Sequence, residues 1–180
     1  MKKTHIKNRD FRSMVSKLGR KIASSSWQPD YIVGITRGGL YPALLLSHYL
    51  EVPMHTLSVQ LRDSEIGPES NLWMAEDAFG YQSKEDLSGS SDPALRKNIL
   101  IVDDINDSGE TFNWIINDWK SSCMPKDSAW DDIWNQNVKF AVIVDNLSSK
   151  CNLKMDFASI EINKHENPEW IVFPWEEWWA

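Results

Sequence analysis

The segment Asn98-Ile99-Leu100-Ile101-Val102-Asp103-Asp104 most constrains what this chain can fold into. Its apolar run is too short for a helix and too uniformly apolar for a half-exposed strand, so it predicts a strand buried on both faces. Such strands belong to sheets covered by helices. Two acids end the run, and Asp107-Ser108-Gly109-Glu110-Thr111 follows at once, opening a helix with Phe112, Ile115, Ile116 and Trp119 on one face. Adjacent carboxylates at a strand end repel unless they accept hydrogen bonds from hydroxyls or hold a cation. The loop amides, with the Ser108 and Thr111 hydroxyls, sit where a helix N-terminus favours an anion. Together they describe a ligand with vicinal hydroxyls beside a phosphate. The plainer alternative is an N-cap at Asp107 or Ser108 and a solvated strand end.

The rest of the chain extends the same alternation. Phe11, Met14, Val15, Leu18 and Ile22 predict an amphipathic helix ending in Ser24-Ser25-Ser26. Tyr31 to Ile35 predicts a strand, Thr36-Arg37-Gly38-Gly39 a loop, residues 40–50 a helix, and residues 53–59 a second strand. Strands are also expected at 138–144 and 155–160, with a polar connection over 121–137. The Gly/Pro/Ser-rich stretch 62–96 reads as a mobile excursion. This order predicts an α/β domain, a mainly parallel sheet flanked by helices. In such sheets ligands gather at the carboxyl ends of strands. There the loop Thr36-Arg37-Gly38-Gly39 offers a fixed cation beside glycines that let backbone amides approach an anion, and diphosphate suits it. On its own it reads equally as a tight turn with a surface arginine.

Composition narrows the classes. With 180 residues and 42% hydrophobic content, one domain over 1–180 is expected, with a sizeable core. Nineteen Lys plus Arg against 26 Asp plus Glu leave a formal charge of -7, which disfavours nucleic acid and anionic membranes as partners. No stretch approaches the roughly 18 apolar residues of a membrane span. Cys123 and Cys151 lack metal-ligand spacing, so a reduced, cytoplasmic setting is expected. His5, His48, His55 and His165 share no helical face and receive no role. Ten tryptophans, eight of them beyond residue 113, read mainly as packing or interface residues.

ILIVDDINDSGET resembles the phosphoribosyl pyrophosphate motif of the type I phosphoribosyltransferases. YIVGITRGGLYPALLL is similar to the pyrophosphate-loop segment of that family, nearest its xanthine-guanine branch, and NPEWIVFPWE resembles the base-binding segment of the same branch. The resemblance implies a parallel-sheet core with a small C-terminal hood and base-binding segment over about 146–180, and a flexible loop over about 62–96. It implies that Asp103 and Asp104 take the ribose hydroxyls and that Asp104 holds Mg2+. Asp107 is the implied general base facing the purine N7, and Ser108, Gly109, Glu110 and Thr111 bind the 5-phosphate. Arg37 and Gly38 bind pyrophosphate around a cis peptide, Trp170 stacks on the base, and the Ile171 backbone reads its exocyclic group.

The implied activity is transfer of phosphoribosyl from 5-phosphoribosyl 1-pyrophosphate to guanine, xanthine or hypoxanthine, in a cytoplasmic homodimer or homotetramer. Transfer to a pyrimidine or orotate, and a phosphoribosyl pyrophosphate sensor without turnover, are the alternatives. Three positions depart from the family pattern. The hood lysine expected after strand 138–144 is Asn146, with Lys150 nearby read as a surface residue. Ser58-Val59-Gln60 replaces a Ser-Tyr pair, and Arg62 and Arg96 are the candidates for the loop arginine.

Overall fold

The computed structural model describes residues 2–59, 71–83 and 89–179. The elements run β1 (Lys2–His5), α1 (Asn8–Ala23), β2 (Tyr31–Thr36), α2 (Leu40–Leu50), β3 (Met54–Ser58), α3 (Leu72–Phe79), β4 (Tyr81–Gln82) and β5 (Ser90–Ser91). After a 3-10 turn at Pro93–Leu95 come β6 (Ile99–Asn106), α4 (Glu110–Ser122), α5 (Trp130–Ile133), β7 (Val138–Asn146), β8 (Phe157–Ile162) and β9 (Glu169–Val172). Five strands form a sheet in the order β3-β2-β6-β7-β8, every pair parallel. This is the expected parallel α/β architecture.

Period-two alternation sends neighbouring side chains of the buried strands to opposite faces. On one face Ile32, Leu100, Val102, Ala141 and Ile143 meet Phe11, Leu18 and Ile22 of α1 and Ala43 and Leu46 of α2. On the other, Val33, Ile35, Ile101, Phe140 and Val142 meet α3, α4 and α5. Gly34 lets α2 approach β2, because a Cβ there would stand 2.8 Å from Cβ of Ala43. Four of the ten tryptophans, Trp114, Trp119, Trp130 and Trp134, join this second layer. Trp119 and Trp130 are fully buried, and Trp134 stacks on Trp130 at 5.6 Å and on Phe140 at 6.0 Å between ring centroids.

Two expectations need correction. The stretch 62–96 is not a structureless excursion throughout. Residues 72–79 form α3, and Met74, Ala75, Ala78 and Phe79 are buried against the sheet. The period-3.6 placement of these four residues was masked by the polar runs on either side; residues 62–70 and 84–88 lie outside the described residues. The connection 121–137 likewise contains α5, which carries Trp130 and Ile133 into the core. Burial of a few large side chains outweighs the polar composition around them.

A second, two-stranded sheet pairs β1 with β9 in parallel, Lys3 opposite Trp170 and Thr4 opposite Ile171. The N-terminal residues, unassigned by periodicity, therefore build part of the hood. Thr4 Oγ1 donates to Glu169 at 2.6 Å, and Lys3 pairs with Glu177 at 2.6 Å. No helix among the described residues is long and apolar enough to cross a membrane.

Candidate active site

The strand order reverses between β2 and β6. The chain leaves β2 toward β3 on one side, and the next strand, β6, inserts on the other. Helical connections diverge at such a switch point and leave a crevice at the carboxyl ends of the two strands. The two unusual loops stand there side by side.

From β2 the chain passes a cis Thr36–Arg37 peptide into Gly38 and Gly39. Gly38 lies flat against the Asp104 carboxylate, and a Cβ at this position would overlap it. Gly39 is held against the Val102 carbonyl and the Ile35 backbone, with the same exclusion of a side chain. The loop then turns into α2, with Leu40 N donating to Arg37 O at 3.2 Å and Ala43 N to Gly39 O at 3.0 Å.

From β6, Asp103 and Asp104 enter the crevice, with Asp104 N donating to Asp103 Oδ1 at 2.9 Å. Burial pushes the Asp104 carboxyl up to about 7, and the charge of Glu176 adds to the shift. Asp103 is raised well above the usual carboxylate range, first by burial and then by its neighbour Asp104. The crevice thus gathers negative charge, and among the described residues no lysine or arginine forms an ion pair with either acid. Because the folded-state value is raised, ionising Asp104 opposes folding. The penalty is absent below about 4, grows as pH rises, and is complete above about 7. Asp104→Asn should therefore melt higher than the parent at pH 8 in magnesium-free buffer. The gap should narrow by at most roughly 1.4 kcal/mol per pH unit on going from 7 toward 4. Thermal melts across that range check it, and a gap independent of pH would refute the assignment.

The loop after β6 is braced from behind. Gly109 has φ 86°, the left-handed region that glycine enters without steric cost, and a Cβ there would overlap the Cys151 backbone. Lys150 N donates to Ser108 O at 2.9 Å, and Asn113 Nδ2 to Lys150 O at 2.8 Å. These contacts seat residues 150–151 behind the loop. In front, the first amides of α4, which lack intrahelical partners as in any helix, border a cavity of about 270 Å³ lined by Asp103 to Phe112 and Val59.

A second cavity, about 590 Å³, is lined by Arg37, Gly38, Asp103, Asp104, Thr111 and Glu176 among others. A third, about 140 Å³, lies under the hood between Asp104, Ile105, Asp107, Lys164, Trp170, Ile171, Phe173 and Glu176. Asp104 lines all three. The candidate ribose-, phosphate-, pyrophosphate- and base-binding residues thus surround one connected crevice. Arg37 and Gly38 lie on the second cavity, residues 107–111 on the first, and Asp107, Trp170 and Ile171 on the third.

Lys164 and Glu176 were not legible in the sequence. Lys164 Nζ stands 2.9 Å from Asp107 Oδ1 and 5.8 Å from the Trp170 ring centroid. Glu176 Oε2 accepts from Phe173 N at 2.9 Å and faces Asp104. Lys164 sits in a polar turn and Glu176 in an aromatic-rich tail, neither with a periodic pattern, and only the packing of these segments onto β6 gives them a place. Of the arginine candidates, Arg96 donates to Ser91 Oγ at 3.0 Å and lines none of these cavities. Arg62 lies outside the described residues. Lys150 supports the loop through its backbone, while its side chain is exposed.

A family model described as a phosphoribosyl transferase domain matches residues 5–179. The chain is 32% identical over 110 residues to a xanthine-guanine phosphoribosyltransferase of Cereibacter sphaeroides, a match spanning 60% of this chain and 58% of that relative. Among solved structures, a purine phosphoribosyltransferase from Pyrococcus horikoshii superposes with a TM-score of 0.61 at 22% identity, covering 98% of this chain and 96% of that one. A xanthine-guanine-hypoxanthine phosphoribosyltransferase of Helicobacter pylori gives 0.59 at 19% identity, covering 97% and 94%. At such identities the structural likeness establishes the fold. With a family match over nearly the whole chain and a crevice at the switch point of its parallel sheet, this protein belongs to the phosphoribosyltransferase family.

Proposed function

We propose that this protein transfers the phosphoribosyl group of 5-phosphoribosyl 1-pyrophosphate to guanine, xanthine or hypoxanthine, giving a nucleoside monophosphate and pyrophosphate in purine salvage. The observation that carries this reading is the junction at Asp104 of three cavities with different chemistries. An anion-seeking helix terminus, an arginine-glycine loop and an aromatic slot under a hood suit the 5-phosphate, the pyrophosphate and the base. The sugar then lies across Asp103 and Asp104, whose carboxylates accept from its vicinal hydroxyls.

In this reaction the purine N9 forms a bond to the sugar C1 as the C1–oxygen bond to pyrophosphate breaks, its electron pair leaving with the pyrophosphate. The proton of N7 passes to Asp107. Positive charge spreads over the sugar in the transition state, so the chain's task is to place charges rather than to attack. Arg37 and the Gly38 backbone steady the departing pyrophosphate. Trp170 holds the base plane, and Ile171, nearly buried on β9, presents its backbone to the base edge.

The donor set fits magnesium. Asp104, with Asp103 beside it, is a hard oxygen donor held unpaired at high cost. Among the described residues no group of three or more Asp, Glu, His or Cys side chains is placed to hold a metal. That suits an ion bound through one or two carboxylates plus substrate phosphates rather than a protein cage. When bound, Mg2+ neutralises the charge developing on the pyrophosphate. The reading also carries a cytoplasmic homodimer or homotetramer, for which the exposed Trp178 and Trp179 offer apolar surface.

The test is pyrophosphate release with Mg2+ over a panel of guanine, xanthine, hypoxanthine, adenine, uracil and orotate. Turnover with at least one of the first three is expected. Turnover with orotate alone, or tight phosphoribosyl pyrophosphate binding by calorimetry with no turnover of any base, would overturn the reading.

A further inference from the structure

Two buried asparagines end the adjacent strands β6 and β7 beside the loop that opens α4. Asn106, the last residue of β6, is 3% exposed, and Asn146, the last residue of β7, is 5% exposed. Asn146 Nδ2 donates to the Asp107 carbonyl at 3.0 Å, while its Oδ1 accepts from Lys164 N and from Ser148 N and Oγ. Asn106 Nδ2 donates to Asp145 Oδ1 at 2.8 Å and to Ser149 Oγ at 2.9 Å. Ser149 N in turn donates to Asn146 O at 2.8 Å. The turn fixed in this way delivers Lys150 N to the Ser108 carbonyl at 2.9 Å, and Asn113 of α4 donates to Lys150 O at 2.8 Å.

Two successive carbonyls of the loop, those of Asp107 and Ser108, are therefore held toward residues 146–150. In a planar trans peptide the N–H points opposite to the C=O. The Ser108 and Gly109 amides thus turn away from residues 146–150. Those residues line no part of the cavity of about 270 Å³, whereas residues 107–109 do. Successive N–H groups facing one side make an anion-binding concavity, and this one adjoins the N-terminus of α4. For stability alone Asn106 is a costly choice, since its buried Oδ1 meets no hydrogen-bond donor among the described residues.

We propose that Asn106 and Asn146 are positioning residues for phosphate recognition: by holding two carbonyls back, they keep the Ser108 and Gly109 amides turned toward the 5-phosphate. This rests on the function proposed above, which places that phosphate in this cavity. The two side chains act through the direction of peptide planes. A loop that contains glycine can turn those planes at little steric cost. With a tie cut, the freed plane can present a carbonyl oxygen to the phosphate, which repels it. Asn146 governs the Asp107–Ser108 peptide directly. Asn106 governs the Ser108–Gly109 peptide through Ser149 and Lys150, and Asn113 braces the same link from α4.

Calorimetric titration with ribose 5-phosphate tests this on three variants, each shown to be folded by circular dichroism and a thermal melt. Asn146→Asp keeps the size and the acceptor but puts an oxygen where the donor to Asp107 stood. Asn106→Leu keeps the size and removes both donated bonds. Each should weaken ribose 5-phosphate binding by about 10- to 100-fold, the range for one hydrogen bond to a charged group. Asn113→Ala, at a half-buried helix position, should lose about 3- to 10-fold, as for one neutral hydrogen bond, and it decides the matter where a buried variant does not fold. In steady-state pyrophosphate release by Asn106→Leu, the KM for phosphoribosyl pyrophosphate should rise. The KM for the base, whose cavity Asn106 does not line, should stay within about twofold. Unchanged ribose 5-phosphate affinity in the folded variants, or an equal rise in both KM values, overturns the inference while the proposed function stands. A parent that turns over no base overturns the proposed function, and the ribose 5-phosphate titrations still decide this inference.

Discussion

Asp107→Ala is expected to lower the turnover number for pyrophosphate release by about 10²–10⁴-fold, the range for loss of general acid–base help. The KM for phosphoribosyl pyrophosphate should change little. Asp107 lines the cavities on both sides of Asp104, and the backbone contact it makes, its carbonyl accepting from Asn146 Nδ2 at 3.0 Å, survives the substitution. Its carboxylate is also 43% exposed, so breaking its pair with Lys164 should cost at most about 1 kcal/mol of stability. A folded variant with strongly reduced turnover is therefore the expected product, seen by steady-state kinetics alongside a thermal melt. Base-dependent release within tenfold of the parent would remove Asp107 from its assigned role.

Gly38→Ala should lower kcat/KM by about 10²-fold, because the added methyl overlaps the Asp104 carboxylate and forces it from its place. A displacement of about 1 Å in a reacting site is enough for a loss of that size. The atom in the way is the end of a side chain, not backbone, so the fold itself should tolerate the change and the melting temperature should stay close to that of the parent. Titration with phosphoribosyl pyrophosphate in the presence of Mg2+ would show weakened binding. Wild-type kinetics in this variant would mean that the contact between the β2 loop and Asp104 has no part in the reaction.

These two positions differ in how visible they are from sequence. Asp107 belongs to an uninterrupted motif in which strand, acids, loop and helix are consecutive, so local chemistry suffices to single it out. Gly38 is visible only as one of two glycines after a short strand. Its opposition to Asp104 arises because β6 pairs with β2 although β3, α3 and the small β4–β5 ribbon intervene in the chain. The helix at 72–79 shows the reverse failure. Four buried side chains on one face are a clear helical signal when counted alone, but the flanking Gly-, Pro- and Ser-containing stretches diluted it within a window of 35 residues. The short α5 was too brief for any periodic signal. Lys164 and Glu176 had none at all, since a single charged residue in a turn or tail looks the same whether it faces solvent or a ligand.

What the sequence determined by itself was local. The alternation of buried strands with amphipathic helices, the acid-loop-helix motif and the arginine-glycine turn depend on neighbours within about ten residues, and those neighbours are consecutive in the chain. The tertiary structure alone decided adjacency. It set β2 beside β6, brought the N-terminal strand against the strand carrying Trp170, and carried Lys164 to Asp107 across 57 positions of chain. The physical reason is that side-chain hydrogen bonds and ion pairs act over a few ångströms. Which distant residues come within that range is set by how the helices bury their apolar faces on the sheet, not by any pattern the polar residues carry themselves.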